Sequence, residues 1–334
     1  MFKTILILSY LTLIYASITN RFHEWVNEHN IILTDYDHIF NSWYDNDKYI
    51  EQHNAKNLSY TLGHNKYSGL NITEFRQLMT SPFKHNDNNL RGNFALLKYP
   101  TDNYETLDLS VPSSIDWRTL GAVTPVKDQG QCGSCWSFSV TGAMEGAYKI
   151  KTNNLVSFSE QELVDCSLIK YGGPNMGCNG GNMEPTFDWI GKNGGICSES
   201  SYPYISGTTK TAGTCQHTCS LVSGSKVTSS IAVKPKSDID MINALSQHPV
   251  SIAIEADQRE FQLYSSGIFN SLNCGQNLDH GVLLVGYSPD YYIMKNSWGT
   301  SWGESGYMKM ARGSQYNNGA GQCGLLLEGS FPKL

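Results

Sequence analysis

Apolar and polar positions change texture three times along the chain. Residues 5 to 15 form a mainly apolar run behind Lys3, and the small residues Ala16 and Ser17 follow it. That is the layout of a secretory signal peptide, here 1–17, and the run is shorter than the roughly 20 apolar residues a bilayer span requires. From 20 to 56 the spacing turns helical, with Phe22, Trp25, Val26, Phe40, Trp43 and Ile50 as packing positions. Residues 135 to 151 contain no Pro and carry Phe138, Ala143, Met144, Ala147 and Tyr148, which predicts one helix. Ser159 followed by Glu162 has capping-box spacing and predicts helix over Glu160–Cys166. Pro185 suits the first turn of another helix that stops at Asn193-Gly194-Gly195. Beyond 225 the pattern shortens, and 250–254, 281–285, 291–294 and 307–310 read as strands between Gly-rich or polar turns. Helices first and strands later predict an α+β unit of two lobes.

Composition divides the chain near residue 110. Residues 18–110 hold fourteen Asn, six of the nine His, no Cys, and the two N-x-[ST] sequons at Asn57 and Asn71, which are candidate glycosylation sites. All nine cysteines come later, at 132, 135, 166, 178, 197, 215, 219, 274 and 323. An oxidising compartment lets eight of them pair, so one thiol is left over, and a thiol kept out of a disulfide framework is a candidate nucleophile. Zinc is a poor reading of Cys132-x2-Cys135, which has no second C-x-x-C partner, and no metal or cofactor is expected. The net charge of −6 contains no basic block of five or more, which argues against nucleic acid or an anionic membrane as a partner. At 40% hydrophobic and 16% charged, the chain has enough apolar material for one large or two modest cores.

The run Gln129-Gly130-Gln131-Cys132-Gly133-Ser134-Cys135-Trp136-Ser137-Phe138 carries the C-G-[SA]-C-[WY] pattern and resembles the papain-like cysteine proteases. Ser159-Glu160-Gln161-Glu162-Leu163-Val164-Asp165-Cys166, Gly177-Cys178-Asn179-Gly180-Gly181, Leu278-Asp279-His280-Gly281 and Lys295-Asn296-Ser297-Trp298-Gly299 follow in that family's order. The resemblance covers 112–332 and implies a peptidase domain over 111–334 with the papain-like two-lobed fold. Its helical lobe is expected over roughly 120–220 and a β-barrel-like lobe over roughly 221–325.

Physical chemistry gives the motif its meaning. The thiolate is the nucleophile, so the site must stabilise negative sulfur. Cys135 opens the predicted helix, where unpaired N–H groups and the helix dipole favour an anion. Of the histidines after 110, His217 stands in a polar loop, His248 precedes Pro249, and His280 begins a predicted strand. The resemblance implies that His280 is the general acid/base. It also implies that Asn296 fixes the imidazole by a hydrogen bond and that Trp298 shields that contact from water. Gln129, with the Cys135 N–H, is expected to face the oxyanion of a tetrahedral intermediate.

The family pattern implies the bridges Cys132–Cys178, Cys166–Cys215 and Cys274–Cys323. Cys197 and Cys219 are extra and are expected to pair, with an exchange of Cys215 and Cys219 left open. The pocket for the second residue before the scissile bond is implied at Asn182, Met183, Ala253 and Leu278, with Glu328 at its floor. A carboxylate there either pairs with a basic side chain or turns outward, and Arg as well as Leu or Phe is expected to be accepted. Gly180 and Gly181 are expected to admit substrate backbone.

Residues 18–110 resemble the family's inhibitory prosegment. Asn46, Ile50 and Asn54 keep its helix spacing, Trp43 and Asp35 stand at its Phe and Glu positions, and Ile39 replaces an Arg. Gly63-x-Asn65-x-Tyr67-x-Gly69 resembles its second motif with Gly in place of the final Asp. The missing carboxylate leaves pH sensitivity to the six prosegment histidines. Cleavage is expected near Ser110 or Val111, releasing a monomeric endopeptidase. Protein and peptide substrates, the chain's own prosegment and cystatin-type inhibitors are the expected partners. The expected location is the secretory pathway, lysosomal, vacuolar or extracellular.

Overall fold

The computed structural model describes residues 16–80, 111–216 and 218–334. The apolar run 5–15, Ser110 and His217 lie outside the described residues. Helix α1 covers 16–28 and α2 covers Tyr36–Asn54, so the helical stretch expected over 20–56 is broken. Two residues account for the break. Asn30 takes a left-handed φ of 52°, and the Asp35 carboxylate caps α2 by accepting the His38 N–H at 3.2 Å. Phe22, Trp25 and Trp43 bury against one another, Phe22 and Trp43 edge-on with centroids 5.4 Å apart.

The chain then forms strand β1 (Tyr60–Leu62) and helix α3 (Ile72–Met79). Asn71, one of the sequon asparagines, caps α3 through a full reciprocal box with Glu74. Strand β2 (Ile115–Asp116) precedes α4 (Cys135–Thr152), whose residues 135–148 are all buried because both lobes pack on it. Helix α5 (Glu160–Cys166) begins where Ser159 accepts the Glu162 N–H at 2.9 Å. The second half of that box is missing. The Glu162 carboxylate accepts instead from the Cys197 N–H at 2.7 Å and the Asn193 amide at 3.2 Å, tying α5 to the far end of α6 (Met183–Asn193). Gly194, with φ of 89°, stops α6.

Strands β3 (Ser229–Ala232), β4 (Val250–Ile254), β5 (Tyr264–Phe269), β6 (His280–Tyr287), β7 (Tyr291–Lys295), β8 (Tyr307–Ala311) and β9 (Gly329–Lys333) complete the α+β unit. The sheet runs β1-β5-β8-β7-β6-β4-β9-β3, with β2 also on β6. Among the described strands, only β5 and β8 pair in parallel. One expectation needs correction: the sheet is open, ending at β1 and β3, rather than closed like a barrel. Its last strand ends at Lys333.

Two cores flank the site. One, under α4, gathers Trp136, Phe158, Phe187 and Leu283. The other, within the sheet, gathers Phe261, Tyr264, Trp298 and Trp302 and extends into the N-terminal segment through Tyr67 and Phe75. Disulfides join Cys132–Cys178, Cys166–Cys215, Cys197–Cys219 and Cys274–Cys323, and Cys135 lies outside all four.

Candidate active site

Cys135, at the start of α4, and His280, at the start of β6, line one pocket, and Asn296 and Gln129 join the site through hydrogen bonds to His280 and Ser297. Cys135 is the first residue of α4, and the cap residue before it, Ser134, makes no side-chain cap bond. The first turn of α4 therefore keeps its electropositive end at the sulfur. His280 is the first residue of β6, where Gly281 lets β6 approach α4. A Cβ on Gly281 would stand 3.1 Å from the Trp136 Cα and 3.2 Å from its N.

The imidazole of His280 is fixed on one side. Its Nε2 lies 2.8 Å from Asn296 Oδ1, and the Ser297 N–H donates to the same oxygen at 2.8 Å. Because that oxygen already accepts a backbone N–H, it is an acceptor for the ring as well. Neutral His280 therefore carries its proton on Nε2 and leaves Nδ1 bare. Nδ1 is buried and makes no hydrogen bond among the described residues. The Trp298 indole stacks on the ring, centroids 4.7 Å apart, and excludes water from the contact. Burial drives the imidazole pKa down to about 4, against the Asn296 bond that raises it. A cationic His280 thus requires a negative partner beside it, which a thiolate would supply.

Gln129 is fully buried. Its Oε1 accepts from Ser297 Oγ at 2.7 Å, and its Nε2 donates to the Cys132 carbonyl at 3.1 Å. Ser297 thereby links Gln129 to Asn296. The motif quoted Ser297 without a role, and no sequence signal separates it from an ordinary turn serine.

A pocket beside Cys135 and His280 is lined by Trp136, Gly181, Asn182, Met183, Ala253, Leu278, Asp279 and Glu328. Gly180 is not among its lining residues. Gly181 is glycine for a packing reason, since a Cβ there would lie 2.4 Å from the Trp136 indole. Glu328 is partly buried in the pocket. Desolvation first, and Glu184 second, raise its pKa to about 7. Asp279, which sequence reasoning did not single out, is pushed well above the carboxylate range by burial and accepts the Ala256 N–H at 2.8 Å.

Behind the cleft, Lys127 bridges Glu145 at 2.9 Å and Glu160 at 2.6 Å, and Lys295 donates to the Thr124 carbonyl at 2.8 Å. This buried network joins α4, α5 and the residue preceding Asn296. Sequence reading missed it because its members are scattered over 171 positions.

The prosegment approaches the same site. Asn65 donates to the Gln262 carbonyl at 2.9 Å, Gln262 donates to the Tyr67 and Leu70 carbonyls at 3.0 Å, and β1 pairs antiparallel with β5. Asn46 donates to the Ser68 carbonyl at 2.8 Å and accepts from Arg259 at 2.8 Å. Asn54 exchanges two bonds with Leu62, both at 2.9 Å.

Residues 111–332 match the papain family cysteine protease domain, and residues 22–75 match the cathepsin propeptide inhibitor domain. The chain belongs to the papain family of cysteine proteases and is made with a propeptide inhibitor domain ahead of the catalytic one. It is 42% identical over 325 residues to the probable cysteine protease RD21B of Arabidopsis thaliana, covering 93% of this chain and 65% of that protein's length. It is likewise 42% identical to the KDEL-tailed cysteine endopeptidase CEP2 of the same plant, covering 93% of this chain and 84% of that one. The proform crystal structure of the ragweed pollen allergen Amb a 11, a cysteine protease, superposes with a TM-score of 0.83 at 33% identity, covering 94% of each chain. Among the described residues, no helix is long and apolar enough to cross a membrane.

Proposed function

We propose that the chain is a cysteine endopeptidase zymogen that hydrolyses peptide bonds through a Cys135 thioester. The observation that carries the reading is the His280–Asn296 contact of 2.8 Å under the Trp298 indole, in the cleft that holds the one cysteine outside the disulfides. In this reading His280 Nδ1 takes the Cys135 proton and the thiolate attacks the carbonyl carbon. The oxyanion meets the Cys135 N–H and the second Nε2 hydrogen of Gln129. His280 then protonates the leaving amine, and water, giving its proton to His280, opens the thioester.

The pocket of Asn182, Met183, Ala253, Leu278 and Glu328 takes the second residue before the scissile bond, apolar or Arg. Gly180 and Gly181 lie along the substrate strand. Residues 18–110 act as the prosegment and 111–334 as the peptidase, with cleavage near Ser110 or Val111. The leader, the sequons at Asn57 and Asn71 and the four bridges support passage through the secretory pathway as a glycosylated monomer subject to cystatin-type inhibitors. Titration of the activated enzyme with an epoxysuccinyl thiol reagent, followed by mass mapping, tests the reading. One adduct per active molecule on Cys135 is expected, and full peptidase activity in Cys135→Ala would overturn it.

A further inference from the structure

A buried carboxylate oxygen without a donor is rare, because it loses its water without compensation. Two such oxygens belong to neighbouring side chains behind the cleft. Glu160, the first residue of α5, engages Lys127 Nζ at 2.6 Å and the Thr141 hydroxyl through Oε1, while its Oε2 is buried with no hydrogen-bond partner among the described residues. Glu199, between α6 and β3, accepts the Tyr204 N–H at 2.8 Å on Oε1, and its Oε2 is likewise buried and unmatched. The two carboxyl groups are within hydrogen-bonding reach of one another. Two carboxylates cannot bond to each other, but a carboxylic acid donates to a carboxylate, so a single proton matches both oxygens. Burial first, and the charge of Glu160 second, raise the Glu199 pKa to about 7, against the Tyr204 N–H and Lys127, which lower it. Lys127 does not serve Glu160 alone, since Glu145 of α4 shares it at 2.9 Å, with Lys295 beyond.

Resting on the peptidase reading given above, we propose that Glu160 and Glu199 share one proton, and that this pair makes Glu199 and Tyr204 positioning residues for Gln129 and the start of α4. Tyr204, whose N–H is held by Glu199, reaches the other way with its hydroxyl, which donates to the Gln129 carbonyl at 2.8 Å and lies 2.7 Å from Ser134 Oγ. Ser134 is the residue before Cys135, and the Tyr204 ring stands edge-on to Phe138 of α4 with centroids 4.9 Å apart. The Gly207 carbonyl accepts the Gln131 N–H at 2.9 Å, so the segment 199–207 braces Gln129 at two points. With the proton in place the pair ties that segment to α5. Without it two like charges face each other, and the segment that braces Gln129 is pushed away.

Glu199→Gln tests both halves. It keeps an acceptor for the Tyr204 N–H and supplies a fixed N–H donor for Glu160, so it holds the pair in its closed form at every pH. A carboxyl pKa raised in the fold contributes stability in acid that is lost as pH rises through the folded value. In the full-length chain carrying Cys135→Ala, the melting temperature with Glu199→Gln, relative to that without it, is therefore expected to rise by about 3 °C between about pH 5 and 8. An equal pH dependence in the two chains overturns the shared proton, whether or not the enzyme cleaves peptides. In the enzyme activated from the full-length chain, Glu199→Gln is expected to raise the ratio of kcat at about pH 8 to that at about pH 6 roughly threefold. Tyr204→Phe is expected to lower kcat about tenfold with KM within about twofold of wild type. An unchanged value in either variant overturns the positioning role and leaves the peptidase reading standing. A wild type without peptidase activity fails that reading and the positioning role with it, while the melts judge the shared proton alone. Should Glu199→Gln not fold, persistence of the wild-type pH dependence of melting in Glu199→Ala overturns the inference.

Discussion

Tyr67 of the prosegment stands edge-on to Trp298, ring centroids 5.8 Å apart, and its hydroxyl donates to the Trp298 carbonyl at 3.3 Å. Phe75 meets the same indole at 5.3 Å. The indole that stacks on His280 is therefore also the anchor of the inhibitory segment, so docking of the prosegment and order at the imidazole share one side chain. Phe75→Ala removes a fully buried ring and should weaken docking by about 3 kcal/mol, roughly a hundredfold in the population of the open zymogen. The half-life of the prosegment on exposure to an added protease, followed by gel, should shorten accordingly. An unchanged half-life would mean that this aromatic contact is not the latch.

Local pattern made the element types legible wherever a segment is long or continuously apolar between turn signals. The β4 run Val250–Ile254 and the helix from Cys135 needed no distant partner to be read. Strand β1 was not legible, because its three residues are a strand only by pairing with β5 some 200 positions away. The site divides in the same way. Cys135, His280 and Asn296 lie in motifs with fixed neighbours, but the Ser297 link and the Lys127–Glu145–Glu160 network exist only after the lobes meet. Glu162 shows the limit of a motif, since its capping-box spacing is satisfied on one side while the carboxylate serves Cys197.

Asn296 should act through the imidazole rather than on substrate. With its Oδ1 gone, the His280 proton is no longer held on Nε2, and the tautomer with Nδ1 protonated faces the sulfur wrongly for accepting a proton. Asn296→Ala is expected to lower kcat on the order of tenfold to a hundredfold with a smaller change in KM, and to shift the acidic limb of the kcat/KM profile. Steady-state kinetics across pH checks both.

Glu145 is buried beside Lys127 and Lys295. Desolvation opposes its charge, but the two ammonium groups and Thr124 prevail and hold its pKa below the usual range. A depressed carboxylate pKa contributes stability above the unfolded value of about 4.3, and that stability is lost as pH falls through the folded value. Glu145→Gln leaves buried ammonium charge without its main partner and should cost about 3 kcal/mol near neutrality. Thermal melts at pH 7 and in strong acid check this, and the gap between wild type and variant should close in acid.

Burial, with Glu184 second, raises the Glu328 pKa to about 7, which places its charge change near neutrality. Above it the carboxylate is ionised and attracts a cationic side chain, and below it the pocket is nearly neutral and favours an apolar one. The Arg:Leu ratio of kcat/KM should rise between about pH 6 and 8. The same ratio in Glu328→Gln should be lower and flat with pH. A flat wild-type ratio would place the carboxylate outside the recognition step.

His38 and His64 of the prosegment lie beside Glu74 at 2.6 Å and Asp47 at 3.1 Å. The environment of His29 disfavours its charged form. Burial lowers its pKa below that of a free imidazole, His64 and Lys66 lower it further, and only Glu28 opposes. A folded pKa below the unfolded value of about 6.5 means that the neutral ring is the one the fold accommodates. Its contribution is fully present above pH 6.5 and falls away as pH drops, which loosens the turn after α1 where Trp25 and His29 pack with centroids 6.2 Å apart. His29→Gln, which cannot take up a proton, should therefore reduce the acceleration of prosegment removal between about pH 7 and 5. Removal rates of the variant and the wild type across that interval decide the matter, and identical acceleration in both would assign acid release to groups other than this imidazole.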